Sequence, residues 1–336
     1  MSTPAAAFDA PLDARLNTYL VGDIGGTNCR LALVQAVDGQ VRVASPTDYK
    51  CADFPEAYDA IDRYLHAVDW TGALSGGVLA IAGPVRDGAV QSTNMPWRLS
   101  EADLQRRGLP NARLINDYTA LALAVDQFAP RDLIALGPDV AGEPSDTVAV
   151  MGAGTGFGAG ALARGVGGTA VIATEGGHIA FAPTDDVEIE ILKILRRMFG
   201  RVSVERLLSG PGLVNIHTAL AQIEGAPAPA MGAEAIVAEA ASADGLARRT
   251  LDRFCAIYGA VAGDLALAYG ARGGVYLGGG IAPAIAGRLQ AGGFRQSFED
   301  KGRFRAYVAA IPTKVIANTH AALLGAGSLA AGLSRL

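Results

Sequence analysis

Two short glycine–threonine turns, each at the end of an apolar run, constrain this 336-residue chain more than any other feature. The first is Asp23-Ile24-Gly25-Gly26-Thr27-Asn28, which follows Thr18 to Val21 and feeds a second run, Arg30 to Val37. The other is Gly152-Ala153-Gly154-Thr155-Gly156, directly after Thr147 to Met151. Adjacent glycines let a tight turn expose successive backbone N–H groups to an anion. Asp23 ends its strand with a carboxylate, which would repel a bare phosphate and so implies a metal ion between the two. A third turn, Gly278-Gly279-Gly280, closes the run Gly274 to Leu277. Each alone is compatible with an inert turn. Three of them at strand ends, where open α/β sheets place ligands, read together as a nucleoside-triphosphate site spread over two related halves.

Composition narrows the class. Half of the residues are hydrophobic and 18% are charged, which describes a globular chain long enough for two domains. The net charge is −5 and no basic block occurs, so nucleic acid and anionic membrane are not expected partners. Cys29, Cys51 and Cys255 make no CxxC pair and no disulfide framework, which fits a reducing cytoplasm. No apolar run approaches the roughly 20 residues that span a bilayer. Residues 1–17 lack a continuous apolar core and read as a loose extension rather than a secretory signal.

The pattern along the chain predicts alternating strands and helices. Tyr58, Ile61, Leu65 and Val68 recur at helical spacing, and Val78 to Ala82 reads as a buried strand. Ser100 with Asp103 resembles a helix start, and Arg113 to Ile115 reads as a strand that ends at Asn116-Asp117. In the second half, strands are expected over Gly158 to Ala163, Thr169 to Ala173 and Lys314 to Ala317. Helices are expected over Val187 to Met198, over Leu246 to Tyr269 and from His320 to Leu333. A short helix over Ser203 to Leu208 is expected to stop at Gly210-Pro211. The resulting organisation is a small α/β lobe over 18–137 and a large α/β lobe over 138–318. The C-terminal helix 319–333 is a candidate to return to the small lobe. Such alternation argues for mostly parallel or mixed sheets flanked by helices.

Three polar groups could carry chemistry. Asp117, at a strand end beside Asn116, could take a proton from a substrate hydroxyl, as phosphoryl transfer requires. By residue type alone, capping of the following helix is the stronger reading. Glu175 and His178 flank two glycines and could converge on one polar ligand, although a solvated turn is the plain alternative. They are too few to hold zinc, since no third ligand sits at zinc spacing. Glu205, beside Arg206, reads as a solvated helical surface residue.

Taken together and in order, these segments resemble the bacterial ATP-dependent glucokinase family of the proteobacterial type. The resemblance rests on Gly22 to Asn28, Ile115-Asn116-Asp117, Gly152 to Gly156, Glu175-Gly176-Gly177-His178, Ser203-Val204-Glu205-Arg206, Leu208 to Leu213, Gly278 to Ile281 and Phe298 to Phe304. It spans about residues 19 to 328. It implies a two-lobed, actin-like ATPase (ribonuclease H-like) fold with a cleft between the lobes. It implies that MgATP phosphorylates D-glucose at the 6-hydroxyl.

Carried over position by position, the resemblance makes Asp117 the base. Asn116, Asp117, Glu175, His178 and Glu205 become the sugar-binding set. ATP would be held by Gly22, Asp23, Ile24, Gly25, Gly26, Thr27 and Asn28, by Gly154, Thr155 and Gly156, and by Gly278, Gly279 and Gly280. Asp23 would orient Mg²⁺ through water. A homodimer is the family expectation, and the cytoplasmic location rests on the cysteines. The zinc-binding cysteine cluster of the wider repressor and sugar-kinase family has no counterpart after His178, where the chain runs Ile179-Ala180-Phe181-Ala182-Pro183, so no structural zinc is expected. No helix-turn-helix extension is expected ahead of the first loop. Other readings are a kinase for another hexose or amino sugar, a non-catalytic sugar sensor on the same scaffold, and a filament-type ATPase that needs no sugar.

Overall fold

The first apolar run becomes strand β1 (Tyr19–Ile24), the middle of a five-stranded sheet. Around it lie β2 (Asn28–Val37), β3 (Gln40–Lys50), β4 (Gly76–Ile81) and, after a small β5–β6 hairpin (Ala89–Gln91 and Arg98–Ser100), β7 (Ala112–Asn116). The order is β3-β2-β1-β4-β7. β2 runs antiparallel to β1 across the first glycine turn, whereas β4 and β7 run parallel to it. Every residue of β4 is buried, as a parallel strand covered on both faces requires. Described residues in this computed structural model are 12–91, 97–165, 168–227, 230–242 and 244–334. Most of the expected extension 1–17 therefore lies outside the described residues.

Helices cover that sheet. α1 (Ala57–Ala67) starts with a capping box between Glu56 and Asp59 and buries Tyr58, Ile61 and Tyr64. α2 (Glu101–Arg106) is capped by Ser100, whose hydroxyl accepts the Asp103 N–H. α3 (Asp117–Ala124) is apolar nearly all round and buried from Thr119 onward. Helix Ala321–Ala330, near the C-terminus, packs against α3 and against β1 and β4. Its Gly325 is the reason the two helices can approach, because a Cβ there would lie 1.7 Å from the Ala120 carbonyl oxygen.

The second sheet repeats the plan. Its strands are β8 (Leu133–Leu136), β9 (Val148–Ala153), β10 (Phe157–Gly165), β11 (Gly168–Thr174), β12 (Gly274–Gly278) and β13 (Thr313–Ile316). Their order is β11-β10-β9-β12-β13-β8, with β10 antiparallel to β9 and β12 parallel to it. The chain divides into two units. The first holds residues up to Asp132, Gly168–Ala173 and the chain from Asn318 onward; the second holds Leu133–Gly167 and Thr174–Ala317. The break falls ahead of 137 because β8 pairs antiparallel with β13.

Four longer helices belong to the second unit: α4 (Asp186–Phe199), α5 (Gly210–Glu224), α6 (Ala233–Ser242) and α7 (Leu246–Tyr269). The short helix expected over Ser203 to Leu208 is a single 3-10 turn, Val204–Arg206, that ends before Gly210, and Gly210-Pro211 in addition begins the next helix. Ser209 accepts the Gly212 N–H at 3.0 Å, and proline sits in the first turn, where it sacrifices no helical hydrogen bond. Behind α7, Arg295 is buried and donates to Glu299, Thr313 and the carbonyls of Ala309 and Ile311. The Phe298 to Phe304 tract thus sits beside a structural anchor, with Phe298 itself fully buried.

Candidate active site

The first half-site lies at the C-terminal ends of the parallel strands. Ile24 is in register with Ile81, and Ile81 with Asn116. Two interstrand spacings of about 4.8 Å therefore separate the strand ends that carry the first turn and Asp117. The turn is closed by the Gly25 N–H donating to the Asn28 carbonyl at 2.9 Å. Gly26 and Thr27 are exposed, while Gly22 and Ile24 are buried in β1. The Lys50 ammonium donates to the Asn28 side chain at 2.8 Å. Asp23 is 3.6 Å from Arg30, whose guanidinium also donates to Asp48. Burial pushes the Asp23 carboxyl above its ordinary range, and Arg30 partly opposes that shift.

Asn116 and Asp117 divide the start of α3 between them. The Asn116 amide oxygen accepts the Tyr118 N–H at 2.9 Å, and Asp117 Oδ1 accepts the same N–H at 3.0 Å. Asn116 also donates to the Gly83 carbonyl at 3.3 Å, which fixes its orientation. Asp117 is thus the first residue of the helix and Asn116 the cap. One N–H shared by two acceptors leaves each bond weaker than a full cap. Both side chains are half-buried.

The second half-site surrounds the end of β9. The Gly154 N–H donates to the Gly156 carbonyl at 2.8 Å, and Phe157 resumes the antiparallel ladder opposite Ala153. The Gly210 N–H donates to the Gly154 carbonyl at 2.8 Å, which sets the positive end of α5 against this loop. Glu205 accepts the Phe157 N–H at 2.9 Å. Segments 179–181 and 202–204 pair through Val204 N–H to Ile179 O and Phe181 N–H to Val202 O, so the Glu175 to His178 turn runs alongside Glu205. Gly177 passes so close to Phe157 that a Cβ would fall 1.9 Å from its carbonyl oxygen. Glu175 and His178 are exposed. Gly278 ends β12 opposite Gly152, and Gly279 turns away with φ +77° against the Ala153 carbonyl. Only glycine combines that angle with that approach.

Behind the loop, Phe157 packs edge-on to the buried Tyr258 of α7, with ring centroids 5.8 Å apart. The second unit therefore gathers Gly154–Gly156, Glu175, His178, Glu205 and Gly278–Gly280, and the first gathers Gly25–Asn28, Asp23, Asn116 and Asp117. The Glu205 tie to Phe157 had no local signal, since the two lie 48 residues apart. Among the described residues no group of three His, Cys, Asp or Glu side chains could cage a metal ion. The acidic donor at the first turn is Asp23, which suits an ion held chiefly by phosphate oxygens and water.

Comparison with known proteins follows the same lines. The glucokinase family model matches residues 20–333. A glucokinase of Caulobacter sp. (strain K31) is 50% identical over 308 residues, 91% of this chain and 93% of its own. The crystal structure of a glucokinase from an Antarctic psychrotroph superposes with a TM-score of 0.85 at 33% identity, covering 94% of this chain and 99% of that one. A glucokinase of the repressor and sugar-kinase type from Streptomyces griseus, in complex with glucose and AMPPNP, gives 0.62 at 22% identity over 94% and 98% of the two chains, a likeness of fold alone. The architecture is the actin-like α/β fold of sugar kinases.

Proposed function

The chain belongs to the glucokinase family, and we propose that it moves the terminal phosphoryl group of ATP to the 6-hydroxyl of D-glucose with Asp117 as base. Its reaction is ATP-dependent phosphorylation of glucose. In the proposed step Asp117 takes the hydroxyl proton as the sugar oxygen bonds to phosphorus and the bond to the ADP oxygen breaks. The observation that supports this role is the shared strand-end register of Ile24, Ile81 and Asn116, with Asp117 next in the chain.

The remaining residues position and neutralise. Backbone N–H groups of Gly25 to Asn28 and of Gly154 to Gly156 would cradle the phosphates, and Gly278 to Gly280 would flank the adenosine. Magnesium, when bound, would supply charge neutralisation at the phosphates, and Asp23 would orient it through water. Asn116, Glu175, His178 and Glu205 would read the sugar hydroxyls. Glu205 has a second duty in this reading, because one of its oxygens already holds the Phe157 amide.

A cytoplasmic location is proposed from the three free, buried cysteines, which suit a reducing compartment. A homodimer is proposed from family membership, and sedimentation of the purified protein tests it. Among the described residues no helix is long and apolar enough to cross a membrane. The decisive experiment is ADP release with glucose, mannose, fructose or N-acetylglucosamine, with and without Mg²⁺. Glucose should be preferred and Mg²⁺ required. Equal ADP release without sugar, or preference for another sugar, would overturn the assignment.

A further inference from the structure

The first unit carries a concavity lined by none of the residues proposed for phosphoryl transfer. A cavity of about 790 Å³ opens between the β5–β6 hairpin, the start of α1 and α2. Arg86, Arg98, Arg106 and Arg107 line it, against the two carboxylates Glu56 and Asp103. That is a local positive excess in a chain whose net charge is −5.

The four guanidiniums are not equivalent. Arg106 is bound to Asp103, which is itself held by the Ser100 hydroxyl at 2.7 Å. Arg107 lies 4.3 Å over the Tyr58 ring and 3.7 Å from Asp62. Both guanidiniums on this wall are thus already engaged by neighbouring side chains. Arg86 and Arg98, on the hairpin side, form no ion pair with any described residue. Gln91, opposite Arg98 in the β5–β6 ladder, adds an uncharged amide to the same lining. We propose that this cavity binds a small phosphate-bearing anion of two or more negative charges, gripped by Arg86 and Arg98 and seated on the Arg106–Arg107 wall.

The size lies within the range of roughly 300–1,000 Å³ typical of small-ligand pockets. Planar guanidinium forks match phosphate oxygens in pairs, which a lysine point charge does not. The site stands apart from the assignment of Asp117 and does not depend on it.

The test is calorimetric titration of inorganic pyrophosphate into the full-length protein saturated with glucose and a non-hydrolysable ATP analogue, so that the phosphate loops are filled. Binding should be seen, should weaken with salt, and should fall at least about tenfold in R86Q/R98Q, as the loss of charged hydrogen bonds predicts. The double variant should keep its melting temperature and its turnover of glucose. Citrate, tested in parallel, should bind at least about tenfold more weakly if phosphate geometry matters beyond charge. No binding to the saturated protein, equal affinity in the double variant, or equal affinity for citrate would overturn the proposal.

Discussion

The carboxylate of Glu205 accepts the backbone N–H of Phe157 at 2.9 Å, one residue beyond the second glycine loop. A side chain proposed to read sugar hydroxyls is therefore also a brace for a loop proposed to hold phosphate. Sugar and nucleotide requirements should not separate cleanly at this residue.

Replacing Glu205 by alanine should raise the KM for ATP as well as that for glucose, each by about tenfold, the value of one hydrogen bond to a charged group. Glu205→Gln, whose amide oxygen can still accept the Phe157 N–H, should raise the ATP KM less. Steady-state kinetics with each substrate varied in turn measures both effects. An ATP KM untouched in the alanine variant would show that the brace is functionally silent.

Asp117→Asn should reduce kcat by about 100-fold or more, the usual scale for losing a general base. The asparagine oxygen can keep the Tyr118 N–H contact made by Oδ1, so the helix start should survive. Glucose affinity by calorimetry and the melting temperature should both stay near wild type. Turnover close to wild type would refute the base.

Gly325→Ala should destabilise the first unit by about 1–3 kcal/mol, the cost of overpacking a fitted core. The new methyl would sit 1.7 Å from the Ala120 carbonyl oxygen, so the helix must shift off α3. Urea denaturation gives the number, and a midpoint equal to wild type would contradict the close approach.

His217, buried in α5, has its imidazole pushed below the ordinary 6.5 by burial, with the Glu239 carboxylate opposing. The unfolded chain then binds the proton more readily than the folded one. Stability from this group is complete above the unfolded value of about 6.5 and falls as pH drops through the lowered folded value. His217→Gln should flatten that part of the profile. Urea midpoints at about pH 7.5 and about pH 5.5 compare the two proteins, and parallel profiles would exclude His217 as the cause.

Which features were legible beforehand follows from the range over which each is decided. Apolar runs broken by Gly-Thr turns are local, and strands β1, β9 and β12 end at the expected turns. The 24-residue α7 has the bounds its apolar stripe predicts. Gly210-Pro211 was legible as the end of the short helix Val204–Arg206 but not as the start of α5, which the Ser209 cap decides. β8 was not anticipated, since a four-residue strand at a sheet edge is defined by its partner β13.

The paired strand–turn halves could be read from the chain, because backbone-exposing turns and buried strands need particular residues at particular neighbours, and the order of motifs pointed by resemblance to the family that the comparisons show. The roles of Asn116 and Asp117 at one helix start, and the reach of Glu205 to an amide 48 residues away, were settled by the folded chain alone. Such contacts depend on sheet register and loop closure, which bring distant residues within hydrogen-bonding range and leave no trace in local spacing.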